Sequence, residues 1–584
     1  MTVQVRAQFP FIAFEGTALR EEVRREIVEV WVDDHLVLPD SVFVRLRFDD
    51  PDLWNRLGVS IGQKIDVRAG QLGEAAESTL ITGEVTSIEA VYEYGNRFLV
   101  IRGYDASHRL QIGRKTRSFN NVTDSDLARR IAGDAGLSVG TIDSTTTVHD
   151  HVSQINTTDW EFLRGRAQEI GFKVAVRDGQ FSFTAADGGG SGGGGLGGAV
   201  GGLLGGGGEL AIGRGLLCFR PRVTGAQQVA QVEARGWDMA RKEAVTHEAD
   251  AATSSVSLGE SDWSPAGLAD VFGGQRYLTC ERPIATSDEA RALAESTAAL
   301  IASSFAEAEG TAEGNPTIVT GGQITIAGAG PFDGEYYVSH ARHRFDEDGY
   351  HTDFEVAGHQ ERSLLGLSSL GATASGAPPI YGAVVALVTN AQDPEKLGRV
   401  KVKFPWLSDD YESDWARVSY PGAGNERGFL LVPEVDDEVL VVFERGDMRR
   451  PYVIGGLYNG VDAPPANEYV DGSDGGVKIR RWMSRNGHQI AISDYSDEDS
   501  IILKTVDNEY GIVISKADDH IYIKSSGKVV LEGPNGIELK GGDVTISGGT
   551  IKLDASSNLE MKGANAKLEG SGQTEVKGGV VKLN

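Results

Sequence analysis

Few side chains in this sequence are spaced for chemistry, and the spacing decides most cases. His340 and His343 lie three apart in Ser339-His-Ala-Arg-His-Arg-Phe345, a segment with strand character. Side chains three apart on a strand face opposite sides, so these imidazoles cannot share a metal ion. His351 and His359 add no ligand spacing, so no metal site and no cofactor are expected. Gly189-Gly-Ser191-Gly-Gly193 formally matches a nucleophile elbow. That motif needs a strand before it and a helix after it, whereas residues 188–208 are almost all glycine and read as a flexible loop. Carboxylates are numerous but form no identifiable acid–base pair, and no catalytic residue is assigned. Cys218 and Cys280 sit in strand-like sequence among apolar neighbours and are expected to be buried free thiols. Arg399, Lys401 and Lys403 with Trp406 have the residue types of a single-strand nucleic-acid groove. The same region carries Asp409, Asp410, Glu412, Asp414, Glu434, Asp436, Asp437 and Glu438, which argue against it.

The whole-chain balance points the same way. The chain has 584 residues, with 56 Lys/Arg against 84 Asp/Glu for a net charge of −28. No basic face is concentrated anywhere, so nucleic acid is not expected as a partner. The start, Met1-Thr2-Val3-Gln4-Val5-Arg6, lacks a basic segment followed by an apolar core, so no signal peptide is expected. Residues 196–204 are too short and too glycine-rich to span a bilayer. Length alone predicts several domains.

With chemistry so sparse, the repeat in the last hundred residues carries the most information. A unit of apolar, any, apolar, polar recurs twelve times. Its apolar positions are Ile490 and Ile492, Ile501 and Leu503, Ile512 and Ile514, Ile521 and Ile523, Val529 and Leu531, and Ile537 and Leu539. They continue through Val544 and Ile546, Ile551 and Leu553, Leu559 and Met561, Leu568, Val576, and Val581 and Leu583. Ala566 and Thr574 fill the two remaining first positions. The units step by 11, 11 and 9 residues, then by 7 or 8, with Gly-Gly, Ser-Ser or Pro-Asn-Gly between them. Period two within a unit means a strand with one face inward. Strands that bury two side chains each cannot fold alone. A step of seven or eight residues suits one strand plus one bend. Three chains wound together would place the apolar positions on a common axis, in an intertwined trimeric β-helix. A sandwich of twelve strands fits less well, because its strands usually run about five to six residues.

Upstream, Gly398-Arg-Val-Lys-Val-Lys-Phe404-Pro-Trp406 alternates strictly, with Val400, Val402 and Phe404 on one face. Ser413-Asp-Trp415-Ala-Arg-Val418, Pro433 to Phe443, and Arg450-Pro-Tyr452 to Asn459 follow. About five strands in about 80 residues suit a small OB-fold barrel. These motifs resemble the VgrG family, the central spike proteins of type VI secretion systems, contractile phage tails and extracellular contractile injection systems. Family members typically have Gly-Asp-Pro-Asp-Arg-Pro where this chain has Gly446-Asp-Met-Arg-Arg-Pro451. Arg102-Gly-Tyr-Asp-Ala-Ser-His108, Arg114-Lys-Thr-Arg-Ser-Phe119, Leu216-Leu-Cys-Phe-Arg-Pro-Arg222 and Val232-Glu-Ala-Arg-Gly-Trp-Asp238 resemble the family's hub, also called the late control D type.

The expected fold is mainly β with an α+β N-terminal part. A hub at 1–365 divides into a barrel at about 1–108, a helical part at about 109–187, the glycine-rich loop 188–208, and a second barrel at about 213–365. Then come a linker at 366–379, the OB-fold at 380–460, a linker at 461–477 and the needle at 478–584. Helices are expected from Thr123 to about Ala135, over Asp159–Ile170, and from a capping box at Thr286-Ser-Asp-Glu289 to near Gly310.

The resemblance implies a homotrimeric spike, not an enzyme. It implies inner-tube, baseplate and effector-cargo partners, assembly in the cytoplasm, and membrane contact only on puncture. Some relatives insert a lysozyme-like domain between barrel and needle, but the gap from Asn459 to Lys478 is too short for one. Some phage needles hold iron through His-x-His, and no histidine follows His520. A PAAR-type tip protein is expected at Val581, Lys582, Leu583 and Asn584. The lack of a fused lysozyme or effector leans toward an extracellular-type system. A cell-wall-degrading tail enzyme and a receptor-binding fibre are the alternatives.

Overall fold

The computed structural model describes residues 8–582 apart from 37, 50–51, 72–77, 178, 186–206, 253, 261, 359–378 and 466–468. His359, Leu583, Asn584, nearly all of the glycine-rich loop and nearly all of the linker 366–379 lie outside the described residues. The chain divides into two compact units between Asp462 and Ala463.

The first unit is organised by one sheet of fifteen strands. Its N-terminal half is built from Gln8–Phe14, Ile27–His35, Ser41–Arg47, Lys64–Gln71, Ser78–Glu93 and Asn96–Asp105. Alternation drives these strands: Val30, Val32, Val42, Val44, Leu46, Ile65, Val67 and Ile101 all point into one core. The other half holds Gly215–Val223, Ala306–Glu313, Gln323–Ala327, His340–Asp346 and Gly349–Val356 around a second core with Leu216, Phe305, Ile324, Ile326, Tyr336 and Phe354. The halves join where His340–Phe345 pairs antiparallel with Val30–His35. Phe345 and Tyr350, far along the chain, complete the first core.

Between the halves, residues 109–187 form helices Asp124–Asp134 and Asp159–Glu169 together with five strands. Thr123 with Asp126 and Thr158 with Glu161 make capping boxes at the two helix starts. The helix Ser287–Ser303 begins at the expected Thr286–Glu289 box. It buries Ala290, Ala294, Ala298 and Ala302, one face at i, i+4 spacing. It ends at Ser303, not near Gly310. Ala306–Glu313 turns to period two, with Ala306, Ala308, Gly310 and Ala312 inward, and forms a strand. Gly236 permits a close approach beside this layer, since a Cβ there would sit 2.3 Å from the Ile284 carbonyl oxygen.

A five-stranded sheet, Val384–Asn390, Lys401–Lys403, Arg417–Val418, Glu438–Phe443 and Pro451–Gly456, ends the first unit. The edge strands meet through Val400 and Ala416, whose backbones exchange hydrogen bonds of 3.0 and 2.7 Å. The sheet therefore closes into a barrel around Val400, Val402, Phe404, Val439, Val441 and Val453, each 0% exposed.

The second unit opens with a five-stranded antiparallel meander: Ile479–Met483, Gln489–Ser493, Ser500–Lys504, Tyr510–Ser515 and His520–Ser525. Described residues of the expected linker 461–477 make bonds to this meander and to one another. Val470 bridges Val477, Lys478 N–H donates to the Tyr469 carbonyl, and Arg481 donates to the Pro465 carbonyl. No described helix is long and apolar enough to cross a membrane.

Candidate functional site

The repeat defines the site. In the meander, the antiparallel register places its apolar positions in two rows across one face. Ile492, Ile501, Ile514 and Ile521 form one row, and Ile490, Leu503, Ile512 and Ile523 form the other. Trp482 extends the second row beside Ile490. A one-residue slip would move every one of these side chains to the other face, so the register is strongly specified. All eight remain 40–68% exposed within the chain. The second row, Ile490, Leu503, Ile512 and Ile523, lines a shallow concavity of about 500 Å³ with Trp482 and Val529.

Past Ser525 the described chain forms no further strand ladder. Its apolar positions Val529, Leu531, Ile537, Leu539, Val544, Ile546, Ile551, Leu553, Leu559, Met561, Leu568, Val576 and Val581 are all at least half exposed. Among the described residues beyond Ser526, the backbone makes a single backbone–backbone hydrogen bond, Gly536 N–H to Gly533 O. Charged residues two apart pair along the opposite side: Glu538 with Lys540 at 2.7 Å, Lys552 with Asp554 at 3.1 Å, and likewise Lys567 with Glu569 and Glu575 with Lys577.

The middle position of each unit, which the repeat leaves open to any residue, is Ala491, Ile502, Val513, Tyr522 and Val530 in the first five units. The first four of these make a cross-strand row of their own. Charged or polar residues take over only from Glu538 onward. Part of the proximal outer face is covered, which leaves Ala491 buried and Ile502 and Val513 half-buried.

Elsewhere the candidate chemistry is consumed by structure. Arg399 donates to both carboxylate oxygens of Asp393, and these bonds hold the Asp393 carboxyl down at about 2. Lys401 pairs with Glu412 at 2.9 Å and lies over the Trp415 ring. Trp406 donates to the Val385 carbonyl. His340 and His343 do fall on opposite faces. His340 sits between Asp33 and Glu355; burial opposes its charge, but these carboxylates prevail and raise it to about 9. His343 is fully buried against Tyr350 and Thr352, and burial lowers it to about 4. The cysteines are not buried. Cys218 is exposed and Cys280 half-exposed, both as free thiols, because Cys218 occupies an outward position of its strand.

Sequence reading missed a buried line of charge that ties the barrel to the helical part. Arg449 donates bidentately to Asp447 and at 2.9 Å to Glu169. Glu169 also pairs with Arg166, which donates at 2.7 Å to Asp124, itself 2.9 Å from His149. Burial opposes the Asp124 charge, yet His149 and Arg166 hold the carboxyl down at about 2. Nearby, Ser153 and Tyr411 bond across the same junction at 3.1 Å. The one available signal was Arg449 itself, a base where the family pattern carries an acid.

The closed barrel falls within a match to a family of baseplate injector domains. The family described as the type VI secretion system/phage-baseplate injector OB domain matches residues 384–458, and the Alg8 N-terminal domain family matches residues 58–347. The chain is similar to VgrG spike proteins. It is 28% identical over 199 residues to the type VI secretion system spike protein VgrG1a of Pseudomonas aeruginosa, covering 31% of each chain. It is 23% identical over 178 residues to the actin cross-linking toxin VgrG1 of Vibrio cholerae, covering 28% of this chain and 16% of that one. The matches to these and three further VgrG relatives span 9–31% of the relatives' lengths. In fold, the chain is similar to the Francisella PdpA-VgrG complex, half-lidded, with a TM-score of 0.53 and 10% identity over 90% of this chain and 88% of that one.

Proposed function

We propose that the chain is the trimeric spike and hub at the baseplate centre of a contractile injection system. It acts mechanically, without catalysis: sheath contraction drives the needle through a target envelope, and the hub links the inner tube to the tip and cargo. The observation that carries this reading is the stripe of Ile, Val and Leu running through the repeat, uncovered within one chain. A stripe of that extent marks an assembly surface. Three copies around an axis would cover it and leave the Lys/Glu side in water. The domain limits read from the sequence belong to this proposal, as do assembly in the cytoplasm and membrane contact only on puncture.

Val581 and Lys582, with Leu583 and Asn584 beyond the described residues, are proposed to receive a PAAR-type tip protein through unpaired strand edges. Light scattering on the purified chain should give three times the monomer mass; a folded, stable monomer would overturn the reading. A muralytic assay on the same sample should show no activity. Deleting residues 574–584 should abolish co-purification of a PAAR protein while the trimer persists.

A further inference from the structure

The two parts of the repeat satisfy their backbones in different ways. Units stepping by 11, 11 and 9 residues leave room for a hairpin turn between strands, and residues 479–525 pair within their own chain. Units stepping by 7 or 8 leave room only for a bend, and residues 529–582 present extended segments with one backbone–backbone hydrogen bond among them. The middle position switches at the same boundary, from Ala491, Ile502, Val513, Tyr522 and Val530 to Glu538, Thr545, Lys552, Glu560, Lys567, Glu575 and Lys582. An extended backbone with both edges open needs strands on each side. Matching the eight distal units of irregular step demands a partner with the same irregularity, which a second copy of this chain has. Charge does not oppose that partner, because residues 478–584 carry 14 Lys/Arg and 15 Asp/Glu within a chain of net −28.

We infer that the needle assembles in two stages. The proximal meander, 479–525, folds within one chain and serves as the base. The distal segment, 529–582, orders only when neighbouring copies supply its strand partners. This rests on the trimer proposed above and adds the order of events and the boundary near Ser525. The exposed Ile490–Ile523 and Ile492–Ile521 rows of the proximal sheet align three copies, in a contact that holds only once the distal segments have wound together. Winding then propagates outward, each unit closing a short bend between strands already placed.

Hydrogen exchange on the full-length chain tests this. The variant Ile551→Asp/Leu553→Asp alters only the distal stripe and should be monomeric by light scattering. In it, amides of 529–582 should exchange as in an unfolded chain. Those of the strands within 479–525 should stay slowed by on the order of tenfold or more. In the wild-type trimer both segments should be protected. Native-state exchange of the wild type in low urea gives a second reading that needs no substitution: distal protection should fall first and depend on protein concentration. Joint loss of both segments in either experiment overturns the inference, as does distal protection in the monomer. A wild-type chain that is itself monomeric would instead overturn the trimer.

Discussion

Replacing Ile537 with Asp tests the apolar stripe where the arithmetic is clearest. Ile537 keeps 55% of its surface exposed within one chain. Fully burying an isoleucine contributes about 1.5–3 kcal/mol, so covering the remainder contributes roughly 1–1.5 kcal/mol per copy. In the proposed trimer the substitution removes that gain and places three carboxylates on one axis without partners, each costing several kcal/mol. The sum is comparable with the whole stability of a typical domain, about 5–15 kcal/mol. Lys552→Asp is the control. The Lys552 side chain is 80% exposed and pairs with Asp554 at 3.1 Å, and exposed pairs of this kind contribute about 0.2–1 kcal/mol. Light scattering and thermal melting, run together, should show Ile537→Asp monomeric or low-melting and Lys552→Asp close to the parent. Equal mass and equal melting for the two variants would refute the assigned faces.

Two further outcomes follow from the first unit. Arg449→Met should destabilise it by about 3–5 kcal/mol, because Asp447 and Glu169 lose a buried counter-charge; adding Glu169→Gln should recover part of the loss, and a single variant that melts within a degree of the parent would contradict the buried line of charge. Burial pushes the Asp105 carboxyl up to about 7, with Asp34 adding to the effect. Its contribution to stability is therefore full below the ordinary value of 3.8 and is lost as pH rises toward 7. Asp105→Asn, which keeps an oxygen for the Ser107 hydroxyl, should gain on the wild type between pH 4 and 7 in melting experiments. A difference that does not change with pH would exclude this assignment.

What the sequence by itself determined is what local chemistry encodes. The Thr286–Glu289 box marks a helix start because its side chains bond backbone groups three residues away. The strict alternation of Val400, Val402 and Phe404 specifies a barrel strand, since period two admits one buried face. The repeat from Ile490 to Leu583 encodes a continuous apolar stripe for the same reason. The tertiary structure alone decided how distant segments meet. Nothing near His340 names Val30–His35 as its strand partner, because any two half-buried strands can exchange the same backbone hydrogen bonds. Only the closing of two cores selects that pairing and draws Phe345 and Tyr350 into the first. The same holds for Arg449 and Glu169, 280 residues apart. Each reads locally as an ordinary surface charge, and they become a pair only because the barrel packs on the helical part and shields both from most of the water. Cys218 shows the converse: apolar neighbours suggested burial, but the face on which a strand residue lies is chosen by what the sheet packs against, not by the residues beside it.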